Sequence, residues 1–245
     1  MSLPLMEYEV RAAETGSLLH RVWGWTEDIG SEDGSVAAAS AVVFPAGTVL
    51  RQRATFVPHD PPRCLAWEWS VVDSVGVLVA SNQGRCVPMA FPFLGRALPS
   101  DAYPSYPPYA LLGYVSTHLG LGRRKAASYQ YLLMDTSLVQ LDLWVEQREG
   151  VSVPAGDFDC YRVRLRPSVR SLFPNLPGLV AAFAAFFVPT PTLWITAAEP
   201  QVLVKFSGTI GPPGSPDAVV QLVRLGAQAD EGGMGAAAPI TARRK

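Results

Sequence analysis

Three side chains in this 245-residue sequence have neighbours that would suit proton transfer. Asp101 stands in "LPSDAYPSYPPY" and Asp135 in "LLMDTSL". A carboxyl group buried among such apolar and aromatic residues has its pKa raised and can act as an acid or base near neutrality. His118, in "YALLGYVSTHLG" with Tyr109, Tyr114 and Leu119 close by, would place an imidazole beside an apolar pocket. Each has a structural reading as well: the aspartates as turn or cap residues, the histidine as a hydrogen-bonded core group. No catalytic signature accompanies them. G-x-S-x-G, H-E-x-x-H, the Walker loop and the dinucleotide fingerprint are all missing from the chain. His20, His59 and His118 are dispersed, and Cys64, Cys86 and Cys160 form no C-x-x-C pair, so neither a metal site nor a cofactor is implied. The cysteines read as small buried hydrophobes.

What must position these groups is a β scaffold. Apolar side chains recur with period two, and 21 glycines and 22 prolines punctuate the pattern. Strands are expected at 6–12, 18–26, 36–44, 48–57, 64–72, 76–83, 127–134, 138–149, 150–153, 159–166, 192–195, 201–207 and 218–226. Short turn signals such as "DSVG", "MDTS" and "VPAGD" make an antiparallel meander the economical connection. The fold class expected is therefore mainly β: a strongly curved antiparallel sheet, half-barrel or barrel, with two short helical inserts over an apolar cavity. Residues 1–227 make one domain, and 228–245, rich in Gly and Ala without periodicity, a disordered tail. An echo between "FPAGTVLRQRATF" (44–56) and "VPAGDFDCYRVRL" (153–165) is compatible with two similar halves.

The first helical insert is expected at 108–119, closed by Gly120 and Gly122. The second lies in "LFPNLPGLVAAFAAFFVPTPTLWI", 172–195, which carries no charge. Pro174, Pro177, Pro189 and Pro191 confine any helix there to 178–188, about half of what a bilayer crossing needs. The segment reads as a buried or cavity-plugging helix, with a membrane-dipping element as the alternative.

Charge and composition bound the partners. With 20 basic and 21 acidic residues the net charge is -1, which provides no footprint for nucleic acid or an anionic membrane surface. Hydrophobic residues make up 49% and charged ones 17%, with a mean hydropathy of +0.17, so there is apolar surface to hide in a cavity or to use against a membrane. The first residues, "MSLPLMEYEVRAAETG", show no basic stretch followed by an apolar one, and a cytoplasmic location is expected on that ground. No stable membrane span is expected, transient membrane contact is compatible with the composition, and the oligomeric state is open.

Period two also assigns faces. In 160–166, Tyr161, Val163 and Leu165 point to one side and Arg162, Arg164 and Arg166 to the other. In 65–69, Trp67 and Trp69 share a face, for packing or for lining a pocket. The run "VSVPAGDFDCYRVRLRP" followed by "TPTLWITAAEPQVLVKFSGTIGPPGSPDAVVQLVRL" resembles a bacterial group near the LolA-like and LppX-like lipoprotein carriers, over 138–225. That resemblance implies a curved sheet around helices, with an apolar space that receives acyl chains.

Two functions are consistent with these features. The first is a binding module that carries a hydrophobic small molecule or lipid-like ligand, with Trp67, Trp69, Trp144, Phe183, Phe187 and Trp194 as pocket residues. The second is a cofactor-independent cyclase or isomerase of a polyketide- or terpenoid-like intermediate, with Asp101, Asp135 and His118 moving the proton.

Overall fold

The computed structural model describes residues 5–28, 35–57, 63–85, 102–104, 121–122, 125–133, 137–169, 177–180, 188, 190–209 and 216–226. Its strands are β1 (Leu5–Ala12), β2 (Leu18–Asp28), β3 (Val36–Val43), β4 (Val49–Val57), β5 (Arg63–Val72), β6 (Leu78–Arg85), β7 (Ala102–Pro104), β8 (Ala126–Leu133), β9 (Ser137–Val153), β10 (Gly156–Pro167), β11 (Thr192–Thr196), β12 (Leu203–Thr209) and β13 (Asp217–Gly226). They form one sheet in the order β6-β5-β4-β3-β2-β1-β13-β12-β11-β10-β9-β8-β7. All neighbours are antiparallel except β7, which adds parallel to β8. The expected meander is present, with one non-sequential join: β13 returns to pair with β1 along Leu5–Ala12.

The sheet is strongly curved and unclosed. Strand β7, at one edge, comes close to β5, next to the other edge, yet no ladder joins β6 to β7 among the described residues. Curvature puts one face inside. Met6, Tyr8, Val22, Val36, Phe56, Trp67, Leu143, Val163, Leu193, Leu203 and Leu222, drawn from β1 to β13, belong to a single buried cluster. The charged side chains Glu7, Glu9, Arg11, Glu146, Arg162, Arg164 and Lys205 take the alternate positions on the outer face, as the pleat requires. Strand β3, "VAAASAVV", is buried on both faces. Its outer positions Ala39 and Ala41 lie between Trp25 and Trp23 on β2 and Arg53 and Arg51 on β4, so short side chains sit between long ones.

The two helical inserts are not supported. Residues 108–119 lie outside the described residues, as does the tail, 228–245. Within 178–188 the helical state is described only at 178–180, less than one α-helical turn, and Leu179 there is 89% exposed. No plug is formed by those residues. Among the described residues the inner side of the sheet is lined by the strands' own side chains, of which Tyr8, Phe56 and Met6 are the largest that are fully buried.

Alternation of strand direction fixes which connections share an end of the sheet. The β9–β10, β11–β12 and β13-terminal ends lie together, opposite the β1–β2, β3–β4 and β5–β6 turns. At the former end the Pro154-Ala155 turn folds across toward β13, the Ala155 N–H donating to the Leu222 carbonyl at 3.1 Å. Leu121, fully enclosed there, accepts a 2.7 Å hydrogen bond on its carbonyl from Gln201 Nε2. We call this end the floor and the other the rim.

Near the rim, Gly208 on β12 has φ +145°, and a Cβ built on it would lie 2.8 Å from the Cβ and 2.9 Å from the Cα of Pro191. The Pro191 carbonyl is itself held by the Leu165 N–H at 2.9 Å, so the obstruction cannot swing away. Gly208→Ala is therefore expected to lose on the order of 1–3 kcal/mol of stability through strain. Urea unfolding of the variant beside the wild type checks it, an unchanged midpoint being the contrary result.

Candidate functional site: the concave face and its rim

The concave face is built by five strands at one side, β1 to β5, and six at the other, β8 to β13. Cross-strand register sets its rows. Val22, Val42, Leu50 and Val71 lie side by side, then Gly24, Ser40, Gln52 and Trp69, then Thr26, Ala38, Ala54 and Trp67. Across the barrel, Ala127, Leu143, Leu165, Val163, Leu193 and Phe206 supply the facing surface. Leu50, Trp69, Ala127, Val145, Phe158 and Tyr161 are only partly covered, although they pack against the buried cluster. No Lys, Arg, Asp or Glu is buried among the described residues; the buried polar side chains are Thr26, Ser35, Ser40, Gln52 and Gln201.

Trp67 and Trp69 thus share the concave face, and Trp67 is buried against the cluster. Trp144 and Trp194 lie on the other face. Trp144 is paired with Arg164, and Trp194 with Arg162 and Lys205, all on the outer, charged side. Trp194 Nε1 donates to Glu149 Oε1 at 2.7 Å, and Lys205 Nζ sits 5.1 Å from the centre of its ring. The indole N–H, followed by the Gln147 amide and the charges of Arg162 and Lys205, holds the Glu149 carboxyl below the usual carboxylate range. Around it, Arg162 and Arg164 both bond Glu146, at 2.8 and 3.0 Å, and Arg148 pairs with Asp159. The Glu146 contacts tie β9 to β10 on the outside, whereas Arg148, the cross-strand partner of Tyr161, meets Asp159 at the exposed end of the hairpin. Period two was the signal that separates the two pairs of tryptophans: Trp194 immediately follows buried Leu193, and Trp144 follows buried Leu143.

Phe183, Phe187, Asp101, His118 and Asp135 lie outside the described residues. Among the described residues no cluster of His, Cys, Asp and Glu could hold a metal ion. Two other groups suited to chemistry do appear. Cys160 is fully buried, and burial, followed by the charges of Asp159 and Glu149, pushes its thiol up to about 12, so it stays protonated and unreactive. His20 lies on the concave face near the rim, its ring 5.4 Å from that of Phe44, and burial lowers its pKa, leaving it neutral at pH 7.

Sequence reasoning missed the rim itself. The β5–β6 turn is fastened by Asp73, whose Oδ1 accepts from the N–H groups of Val75 at 3.0 Å and Val77 at 2.8 Å. It holds Val75 at 79% exposure, with Val77, Leu78 and Val79 also exposed. The β3–β4 turn lies against it, Gly47 next to Ser74, and presents Phe44; Leu18 is exposed at the β1–β2 turn. All three turns are at the same end of the sheet, so bulky apolar groups line the rim, opposite the end where Leu121 and the Pro154-Ala155 turn are packed. The run "VGVLV" after an aspartate was the available signal, read as a turn in "DSVG" and a strand from Gly76, without its exposure.

No protein-family model and no curated protein sequence matches the chain. Among solved structures, it is similar to a "Beta-barrel-like Protein of Domain of Unknown Function DUF1849" from Brucella abortus, with 9% identity and TM-score 0.51 over 93% of this chain and 99% of that one. A "putative lipoprotein" from Parabacteroides distasonis follows at 13% identity and TM-score 0.40, over 92% and 95% of the two chains. A "putative exported protein with YmcC-like fold" from Bacteroides fragilis follows at 10% identity and TM-score 0.37, over 90% and 94%. The first of these likenesses is one of fold: a bacterial β-barrel-like architecture. A LolA-like relationship is not among the findings. The cytoplasmic location expected from the first residues is not retained: the words lipoprotein and exported protein stand in the names of the latter two neighbours and are said of those proteins.

Proposed function

We propose that the protein binds and carries a hydrophobic small molecule or lipid-like chain on the concave face of its unclosed barrel. The observation that carries this reading is the single inner surface, mostly aliphatic and aromatic, in which no Lys, Arg, Asp or Glu is buried among the described residues, bordered at the rim by exposed Phe44, Val75, Val77 and Leu78. An apolar chain laid on that surface removes water from Leu50, Trp69, Val145 and Tyr161, which the fold leaves partly uncovered. The rim supports a second element of the reading, transient contact with a membrane during loading. Four exposed aliphatic side chains on the fastened turn and the start of β6 form the kind of apolar patch that a monomer seldom leaves to water. No helix among the described residues is long and apolar enough to cross a bilayer.

The cyclase or isomerase reading rests on Asp101, His118 and Asp135, and no described residue adds to it. Carriage is tested by native mass spectrometry of protein purified without detergent, followed by organic extraction. A hydrophobic ligand bound in stoichiometric amount is expected. Ligand-free protein that also fails to bind a neutral fluorescent probe such as N-phenyl-1-naphthylamine would sink the proposal.

A further inference from the structure

We infer that Gln52 and Ser40 form a hydrogen-bonding subsite on the concave face for an uncharged polar group of the ligand, an ester or amide carbonyl in the first place. This rests on the reading of the concave face as the ligand surface.

Ser40 and Gln52 are direct cross-strand partners on β3 and β4, with relative exposures of 1% and 7%. Their one mutual contact is long: Ser40 Oγ donates to Gln52 Oε1 at 3.5 Å. A primary amide offers two N–H donors as well as a carbonyl acceptor. The Gln52 Nε2 group has no hydrogen-bond partner among the described residues. Turning the amide over would exchange its ends without changing that result, since Ser40 can engage only one of them. Gln52 Nε2 is not one of the enclosed polar atoms left without a partner, so its N–H groups keep some contact with solvent and are available to a polar group of a ligand.

The side chains next to the pair are small. Gly24 continues the row beyond Ser40 without a side chain, and Ala38 and Ala54 occupy the adjacent row on the same two strands. Larger groups stand beyond: Trp69 opposite Gln52, Trp67 opposite Ala54 and Phe56 two residues along β4. A polar group of the ligand would sit over these small side chains, within the ring of aromatic ones, while the attached chain runs over the aliphatic rows. The pair is not needed as a strand fastener, because the β3–β4 ladder already runs unbroken from Val36–Phe56 to Val43–Val49.

The group recognised is neutral. The charges of β1 to β5 that the register places beside this region, Glu7, Glu9, Arg21, Arg51, Arg53 and Glu68, are on the outer face. An ionised carboxylate placed beside Gln52 would lose water without gaining a counter-ion.

Displacement of N-phenyl-1-naphthylamine from the full chain by dodecane, methyl dodecanoate and dodecanoate tests this directly. The ester should compete about fivefold better than the alkane, as one buried hydrogen bond gives, and better than the anion. Gln52→Leu, an apolar replacement of similar size, should abolish the ester's advantage and keep the alkane's affinity. An ester advantage that survives Gln52→Leu overturns the subsite, as does a wild-type preference for dodecanoate or for none of the three; the wild-type order needs no variant to fold. If none of the three binds, the carrier reading falls and this one with it, whereas alkane binding without preference removes the subsite alone.

Discussion

A Val75→Ser/Val79→Ser variant should fold like the wild type and lose roughly 30-fold in its partition onto neutral phosphatidylcholine vesicles. The estimate follows from exposure. Burying a whole valine is worth about 1.5 kcal/mol or somewhat more, and 79% and 64% of the two side chains are outside the fold, so the pair offers a bilayer about 2 kcal/mol. Their removal should cost the native fold little, because those same surfaces pack against nothing in it. The turn that carries them is fastened by backbone groups: Asp73 accepts from the N–H groups of Val75 and Val77, and the Asp73 N–H donates to the Val77 carbonyl at 2.9 Å. Serine disturbs none of these bonds. No basic side chain is described in the three rim turns, so wild-type partition should change little between low and high salt. Co-sedimentation with vesicles measures both effects. An unchanged partition of the variant would remove the rim as the contact. Concentration-dependent dimers that the variant abolishes would assign the patch to self-association instead.

The strand pattern was legible from period two and turn chemistry, because each strand buries one face against a shared core. The expected 36–44 and 48–57 are β3 and β4 within a residue, and the expected 138–149 and 150–153 merge into the single β9. Gly150 did not break that strand, since it sits opposite Asp159 within the regular ladder. Strand β7 went unread because "AYP" has no period and pairs only at an edge, in parallel. The faces of Trp67 and Trp69 were legible in the same way as those of Tyr161, Val163 and Leu165. Grouping Trp194 and Trp144 with them ignored the parity that places both beside arginines. Gln52 was invisible as a site residue: "RQRATF" reads as a polar stretch, and only the register, which sets Gln52 inward between Arg51 and Arg53, separates it from its neighbours. The rim could not be inferred either, because exposure at a turn depends on which turns share an end, a property of the whole sheet order.

Phe56 and Trp69 divide stability from binding on one surface. Phe56→Ala should destabilise the protein by about 3–5 kcal/mol, the usual cost of emptying a fully enclosed phenylalanine site. Phe56 has no exposure, pairs across β3 with Val36 and belongs to the same cluster as Tyr8 and Leu222, so the cavity left has rigid walls that close little. Trp69 sits on the same face one strand nearer the open edge, opposite Gln52 and only partly buried. Its replacement by alanine should cost less stability, because part of the indole already faces solvent. A bound chain would cover that part, so Trp69→Ala should weaken probe binding several-fold, a loss of about 1 kcal/mol or more of buried aromatic surface. Urea unfolding and N-phenyl-1-naphthylamine titration of both variants give the two numbers. The reading requires opposite orders: Phe56→Ala the more destabilised, and Trp69→Ala the weaker binder at a temperature where both are folded. If the binding loss simply tracks the stability loss, Trp69 is core packing and the ligand lies elsewhere.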